Sequence, residues 1–118
     1  MSPDAARAFA AEWLAGWNAH DLDRILKHYA EDVVFRSETA ARLTGTGTVR
    51  GKSALGAYWA EALKRQPDLS FEILDVYAAP DAVTIRYRNQ TGTEVCETLF
   101  FGEDGLAVSG AACRVPPH

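Results

Sequence analysis

Glu97 stands in the run Val95-Cys96-Glu97-Thr98-Leu99-Phe100-Phe101, an ionisable side chain inside an otherwise apolar, strand-like segment. The preceding turn, Gln90-Thr91-Gly92, decides which face it takes, because a slip of one residue moves every side chain to the other face. A two-residue loop, Thr91-Gly92, sets Glu97 opposite Arg86 as an exposed cross-strand ion pair, worth under ~1 kcal/mol. That loop also asks threonine for a left-handed backbone, which it adopts poorly. A three-residue loop keeps Gln90 and Thr91 right-handed and asks only Gly92 for a positive φ. The spacing therefore predicts Glu97 facing Ile85, between Val83 and Tyr87. Walled by Ile85, Tyr87, Val95 and Leu99, a carboxyl loses solvation. Its charged form is then disfavoured and its pKa rises, at ~1.4 kcal/mol per unit. Such a group is a proton donor or general acid near neutral pH. The alternative is a buried acid paired with an arginine or lining a dimer contact.

On the far side, the turn at Gly102-Glu103-Asp104-Gly105 sets Glu97 beside Gly110 or Ala111, depending on loop length. The small residues Ser109-Gly110-Ala111-Ala112 either leave volume next to the carboxyl or form a close sheet-to-sheet dimer contact. Glu38 is the second candidate acid, with a solvated loop position as its alternative. Phe35 and Ser37 share a strand face, so Glu38 points away from them unless a bulge intervenes. Trp13, Trp17, Tyr29, Phe35, Ser37, Tyr58, Trp59, Ile85, Tyr87, Leu99 and Gly110 are the candidate pocket lining. For Trp13, Trp17, Tyr58, Trp59 and Tyr87, plain core is the competing role.

Other chemistries find less in the residues. His20, His28 and His118 share no metal-ligand spacing, so no metal is expected and a surface role is assigned to each. Ser37 and Ser53 lack the context of a nucleophile elbow. Gly51-Lys52-Ser53 follows glycines and opens a helix, but Thr46 occupies the position where a phosphate loop needs its first glycine, and no βαβ unit surrounds it. No cofactor is expected. Cys96 and Cys113 show no CxxC or Cys/His spacing and each reads as a small buried hydrophobe.

The elements that must hold these residues are legible from the pattern. Ser2-Pro3-Asp4 starts a helix whose buried stripe is Ala6, Phe9, Ala10, Trp13, Leu14 and Trp17. Asp21 caps a shorter helix carrying Leu22, Ile25, Leu26 and Tyr29. Val33-Val34-Phe35 begins a strand, and Glu38 to Gly51, rich in Thr and Gly, reads as a mobile loop or ragged hairpin. Ser53 caps a third helix bearing Leu55, Tyr58, Trp59, Ala62 and Leu63, which Pro67 stops. Strands follow over 69–79, 82–89, 94–101 and 106–115, joined by tight turns and pairing as antiparallel neighbours. The result is an α+β fold, expected as one domain over residues 1–118, with helices laid on one face of a twisted sheet.

Composition excludes several classes. The chain has 118 residues, 47% of them hydrophobic and 24% charged, close to ordinary globular proportions. A net charge of −4, with no uninterrupted basic cluster, disfavours nucleic acid. No apolar run approaches the ~18 residues that span a bilayer. Met1-Ser2-Pro3-Asp4 lacks the order of a secretion signal, so a cytoplasmic location is expected.

Three segments, Trp17-Asn18-Ala19-His20-Asp21-Leu22-Asp23, Tyr29-Ala30-Glu31-Asp32-Val33 and Gly51-Lys52-Ser53-Ala54-Leu55, together with the element order, give the chain a family likeness. It resembles the SnoaL-like branch of the nuclear transport factor 2-like superfamily, from about Ala6 to Val115. The resemblance implies a cystatin-like cone: three helices on a curved antiparallel or mixed sheet, with an apolar pocket at the open end and frequent homodimers. It does not imply one reaction, since that fold carries isomerases, cyclases, hydrolases, transport factors and members without a known role. It sets Glu97 where ketosteroid isomerases hold a protonated aspartic acid. Their tyrosine donor falls on Trp13 and their aspartate base on Ser37, with Glu38 one place further, so steroid isomerisation by that mechanism is not expected. Two functions stay open. One is a site for a small hydrophobic molecule, several hundred cubic ångströms in volume beside Glu97, catalysing cofactor-free isomerisation, cyclisation or dehydration. The other is a non-catalytic homodimerising or ligand-carrying domain.

Overall fold

The computed structural model describes residues 1–115, so His118 lies outside the described residues. Ser2 caps the first helix, α1 (Pro3–Asn18), accepting the Ala5 N–H at 3.1 Å, and Pro3 and Asp4 occupy its first turn. The buried face is Ala6, Ala10, Trp13, Gly16 and Trp17. Asp21 caps α2 (Leu22–Leu26), whose Ile25 packs close over Gly16. Tyr29 is not a helical residue: it opens strand β1 (Tyr29–Ser37) and pairs with Ala107. Its apolar character fits either element, and the long-range partner decides.

The stretch expected as a loop contains a helix, α3 (Glu38–Thr44), and a short strand, β2 (Thr48–Arg50). Ser37 supplies the cap, accepting the Ala40 N–H at 2.9 Å, and Gly45, at φ +84°, closes the helix from a left-handed conformation. The hairpin part of the expectation holds, since β2 pairs antiparallel with β1. The cap of α4 (Lys52–Arg65) differs from expectation: Gly51, at φ +89°, holds that position, and no side chain caps the helix. Gly51 instead gives its N–H to the Val33 carbonyl at 2.7 Å, tying the helix start to β1. Pro67 follows the helix end closely, as expected.

Four strands follow: β3 (Glu72–Ala79), β4 (Ala82–Arg88), β5 (Glu94–Phe101) and β6 (Ala107–Arg114). The sheet order is β2-β1-β6-β5-β4-β3. Every neighbouring pair is antiparallel except β1 and β6, which run parallel, so the sheet is mixed. Helix α1 packs on β3, and α4 packs on β1 and α2. Between helices and sheet lies one core of Trp13, Trp17, Ile25, Tyr29, Phe35, Leu55, Trp59, Ile85 and Leu99, among others. No helix among the described residues is long and apolar enough to cross a membrane.

A bulge in the β5–β6 pairing corrects one register. Phe101 faces Ala107, but Phe100 faces Ser109, so Val108 is an extra residue and each later partner moves by one. Glu97 consequently faces Ala112, neither Gly110 nor Ala111. Gly110 instead faces Leu99, and a Cβ there would sit 2.6 Å from Leu99 Cδ2 and 3.2 Å from Phe35 Cδ1. Its smallness serves close packing against Leu99 and Phe35. The cysteines also differ from expectation: Cys96 is half-buried and Cys113 exposed, because both alternate onto the outward face of the sheet.

Candidate functional site

The turn between β4 and β5 takes the three-residue form. Gly92 has φ +84° and gives its N–H to the Asn89 carbonyl, and Asn89 and Thr93 close the loop at 3.0 Å. The Asn89 side chain adds bonds to the Thr91 and Thr93 N–H groups, both at 3.0 Å. This fixes Ile85 opposite Glu97 and Arg86 opposite Cys96. Glu97 is 4% exposed. The expected inward orientation is what the structure shows.

Around that carboxyl the chemistry is uneven. The Tyr87 hydroxyl donates to Oε1 at 3.2 Å, and Oε2 has no partner. Burial pushes the Glu97 pKa from an ordinary 4.5 up to about 8, against the opposing pull of the Tyr87 hydrogen bond. The group therefore holds its proton through neutral pH. Burial also raises the Tyr29 and Tyr87 hydroxyls, and the nearby Glu97 charge raises them further. Both phenols stay neutral donors. The Tyr29 hydroxyl and the Trp13 and Trp17 indole N–H groups are buried without a partner. A protonated acid, two phenols and two indoles thus place polar hydrogens in one aromatic interior, where buried groups without a partner are uncommon.

A cavity of about 90 Å³ opens beside Glu97. Trp17, Phe35, Ser37, Tyr58, Trp59 and Tyr87 line it, as proposed from the sequence, and Glu97 and Glu38 also border it. Trp13, Tyr29, Ile85, Leu99 and Gly110 do not line it; they lie in the surrounding core. The volume is smaller than expected, well below the roughly 300–1,000 Å³ of clefts that enclose drug-sized molecules. Aromatic side chains account for the difference. Phe71 stands 4.4 Å from Tyr87 and 5.6 Å from Trp17, and Trp17 meets Trp59 at 5.1 Å between ring centroids.

Two polar groups sit at the side of the cavity. Ser37 Oγ lies 3.0 Å from the Tyr58 hydroxyl while it also caps α3. The Tyr58 pKa is raised, first by burial. Glu38 is in the first turn of α3 with its side chain 57% exposed and paired with Arg42 at 3.2 Å. The two candidate acids thus occupy different settings, one enclosed and one at the rim. Among the described residues no three His, Cys, Asp or Glu side chains come together to hold a metal. His20, half-buried, bonds the Leu69 carbonyl at 2.8 Å, and His28 packs edge-on to Phe9, its pKa lowered by burial.

Phe71, Asn89 and Arg114 also line the cavity and had no part in the sequence reading. Arg114 was within reach of it, because residues 110, 112 and 114 share a strand parity. Phe71 was not. Its place is set by Asn18, which accepts the Phe71 N–H at 2.7 Å and donates to its carbonyl at 3.0 Å across the fold.

A mixed six-stranded sheet backed by four helices is the cystatin-like α+β class. The chain belongs to the SnoaL-like domain family, whose model matches residues 10–111, within the nuclear transport factor 2-like superfamily. A SnoaL-like protein of unknown function from Burkholderia thailandensis is 40% identical, with a TM-score of 0.93 over 98% of this chain and 99% of that one. AclR from Streptomyces galilaeus, a proposed hydroxylase, is 26% identical with a TM-score of 0.74 over 97% and 91% of the two chains. A proposed polyketide cyclase from Sinorhizobium meliloti shares the fold at 14% identity, TM-score 0.74, covering 90% and 94%. No curated protein matches the chain.

Proposed function

We propose that the chain binds a small, largely apolar molecule in the cavity beside Glu97 and moves a proton on it without a cofactor. Glu97 is the donor, and isomerisation, cyclisation or dehydration are the reaction types. The observation that carries this reading is the unpartnered Oε2 of a carboxyl held protonated near neutral pH. A protonated acid offers a hydrogen bond to a carbonyl oxygen and strengthens it as negative charge develops there. Tyr87 and Tyr29 keep the surroundings uncharged. Trp17, Phe35 and Trp59 supply flat apolar walls that favour planar, unsaturated molecules. Neither Trp13 nor Ser37 supplies the phenol or the carboxylate that steroid isomerisation requires at those positions. Glu38 is the candidate for a proton acceptor at the rim, where it pairs with Arg42. The volume of about 90 Å³ restricts the buried part of the ligand to a small head group, with the remainder outside the mouth.

The test is an NMR titration of the labelled Glu97 carboxyl, alone and with a small aryl ketone. A pKa near 8 that moves on ketone addition supports the reading. A value at or below about 4.3, the ordinary glutamate range, defeats it.

A second reading rests on the outward sheet face. Tyr77, Thr84, Thr98 and Ala111 form one row across four strands, and Phe100 lies between Ala82 and Ser109 in the next. Tyr77 and Phe100 are 53% and 47% exposed, on a surface otherwise lined by small side chains. Such a flat face suits isologous pairing with a second copy, giving a homodimer with or without turnover. Sedimentation equilibrium at micromolar concentration checks it, a monomer being the adverse result.

A further inference from the structure

Cys96 and Cys113 occupy directly opposite positions on β5 and β6. Both thiols are free, one half-buried and one exposed. Opposite residues on an antiparallel ladder have Cα atoms about 4.5–5.5 Å apart. A disulfide spans Cα separations of about 4.4–6.8 Å, so the ladder already holds this pair in bridging range. Sequence spacing hides the pair, because the residues are distant along the chain and the Val108 bulge sets their register. Without that extra residue Cys96 would face Ala112.

The surface over the pair is not flat. A hollow of about 410 Å³ lies there, lined by both cysteines together with Arg86, Glu94, Val95 and Arg114. Arg86 is occupied by Asp75 at 3.2 Å and by Glu94 at 2.6 Å. Arg114 shares the inward face of β6 with Gly110 and Ala112 and borders the Glu97 cavity, so the hollow presents the two thiols and an Arg86 that is already paired.

We propose that Cys96 and Cys113 form a redox-active dithiol on the reverse of the sheet, which exchanges with a small-molecule disulfide admitted by the hollow. One thiolate attacks the incoming disulfide, forming a mixed disulfide and releasing one small thiol. The second cysteine, as thiolate, then displaces the other small thiol and closes the Cys96–Cys113 bond. The chain loses two protons and two electrons, and the small disulfide takes up both as two thiols. The closed bond covalently ties β5 to β6 beside the Glu97–Ala112 pair. The inference is independent of what the cavity binds.

Oxidised glutathione is the probe, applied to the full chain and trapped with acid, with intact mass and a peptide map as readouts. The expected product has lost two hydrogens and yields one cross-linked peptide joining Cys96 to Cys113. Cys96→Ser and Cys113→Ser each stop at a single glutathione adduct. Stable double adducts, cross-links between two chains, or no reaction overturn the dithiol.

Discussion

The Tyr87 hydroxyl donates to Glu97 Oε1 at 3.2 Å while the second oxygen of the same carboxyl has no partner. Among the described residues this hydrogen bond is the single polar contact opposing the desolvation of Glu97. Tyr87→Phe removes it and leaves the ring packing on Phe71 and Trp13 in place. The Glu97 titration should then move above its wild-type position of about 8, read by NMR of the labelled carboxyl. A downward move would mean that the phenol acts through something other than this bond.

The same carboxyl makes folding stability depend on pH, with a sign opposite to that of a salt-bridged acid. Its folded pKa of about 8 lies above its ordinary 4.5, so the folded chain holds a proton that the unfolded chain releases between those values. The contribution is fully present below pH ~4.5, declines as pH rises and is lost through pH ~8. Glu97→Gln carries no such titration. Urea unfolding should find the variant more stable than wild type at pH 8 by a few kcal/mol, with the gap closing toward pH 5. Parallel pH profiles for the two proteins would refute the buried protonated acid.

Asn18 holds one wall of the cavity from outside, through two bonds to the Phe71 backbone. Asn18→Ala should cost about 1–2 kcal/mol in urea unfolding. It should also raise acrylamide quenching of tryptophan fluorescence, because Phe71 packs on Trp13 and Trp17. Loss of stability without added quenching would show that Phe71 keeps its place unaided.

Two glycines should respond to alanine for different reasons. At Gly110 the added Cβ collides with Leu99 and Phe35 in a filled core, a cost of about 1–3 kcal/mol. At Gly92 it meets nothing within 4 Å, but φ +84° strains it by about 1–2 kcal/mol. Combining Gly110→Ala with Leu99→Val should recover part of the loss. No neighbouring truncation should rescue Gly92→Ala. Thermal melts of the four proteins distinguish collision from strain.

Local pattern carried the helices and strands whose partners are near in sequence. Ser2, Asp21 and Pro67 mark helix ends by their own chemistry, and Gly92 alone orients Glu97. Elsewhere the deciding partner was remote. Tyr29 joins a strand because Ala107 receives it, and Phe71 reaches the cavity because Asn18 binds it. Residues 38–44 are mostly good helix formers, but seven residues are too few to show a helical period, and it is Ser37 and Gly45 that bound the helix. The outward turn of Cys96 was readable from strand alternation once Glu97 was turned inward. That of Cys113 and the pairing of the two were not, because one extra residue at Val108 sets both.

The parallel union of β1 with β6 bears on how the molecule is made. During synthesis β1 emerges early, and its hairpin with β2 can form at once. Phe35 must nevertheless wait for Gly110 to cover its flank. Until β6 is released from the ribosome, the hairpin half and the β3–β5 half have no shared strand, and β1 and β5 each lack the neighbour that covers one edge. Nascent chains stalled before residue 107 should therefore engage chaperones more strongly than those stalled just after residue 114 has cleared the exit tunnel.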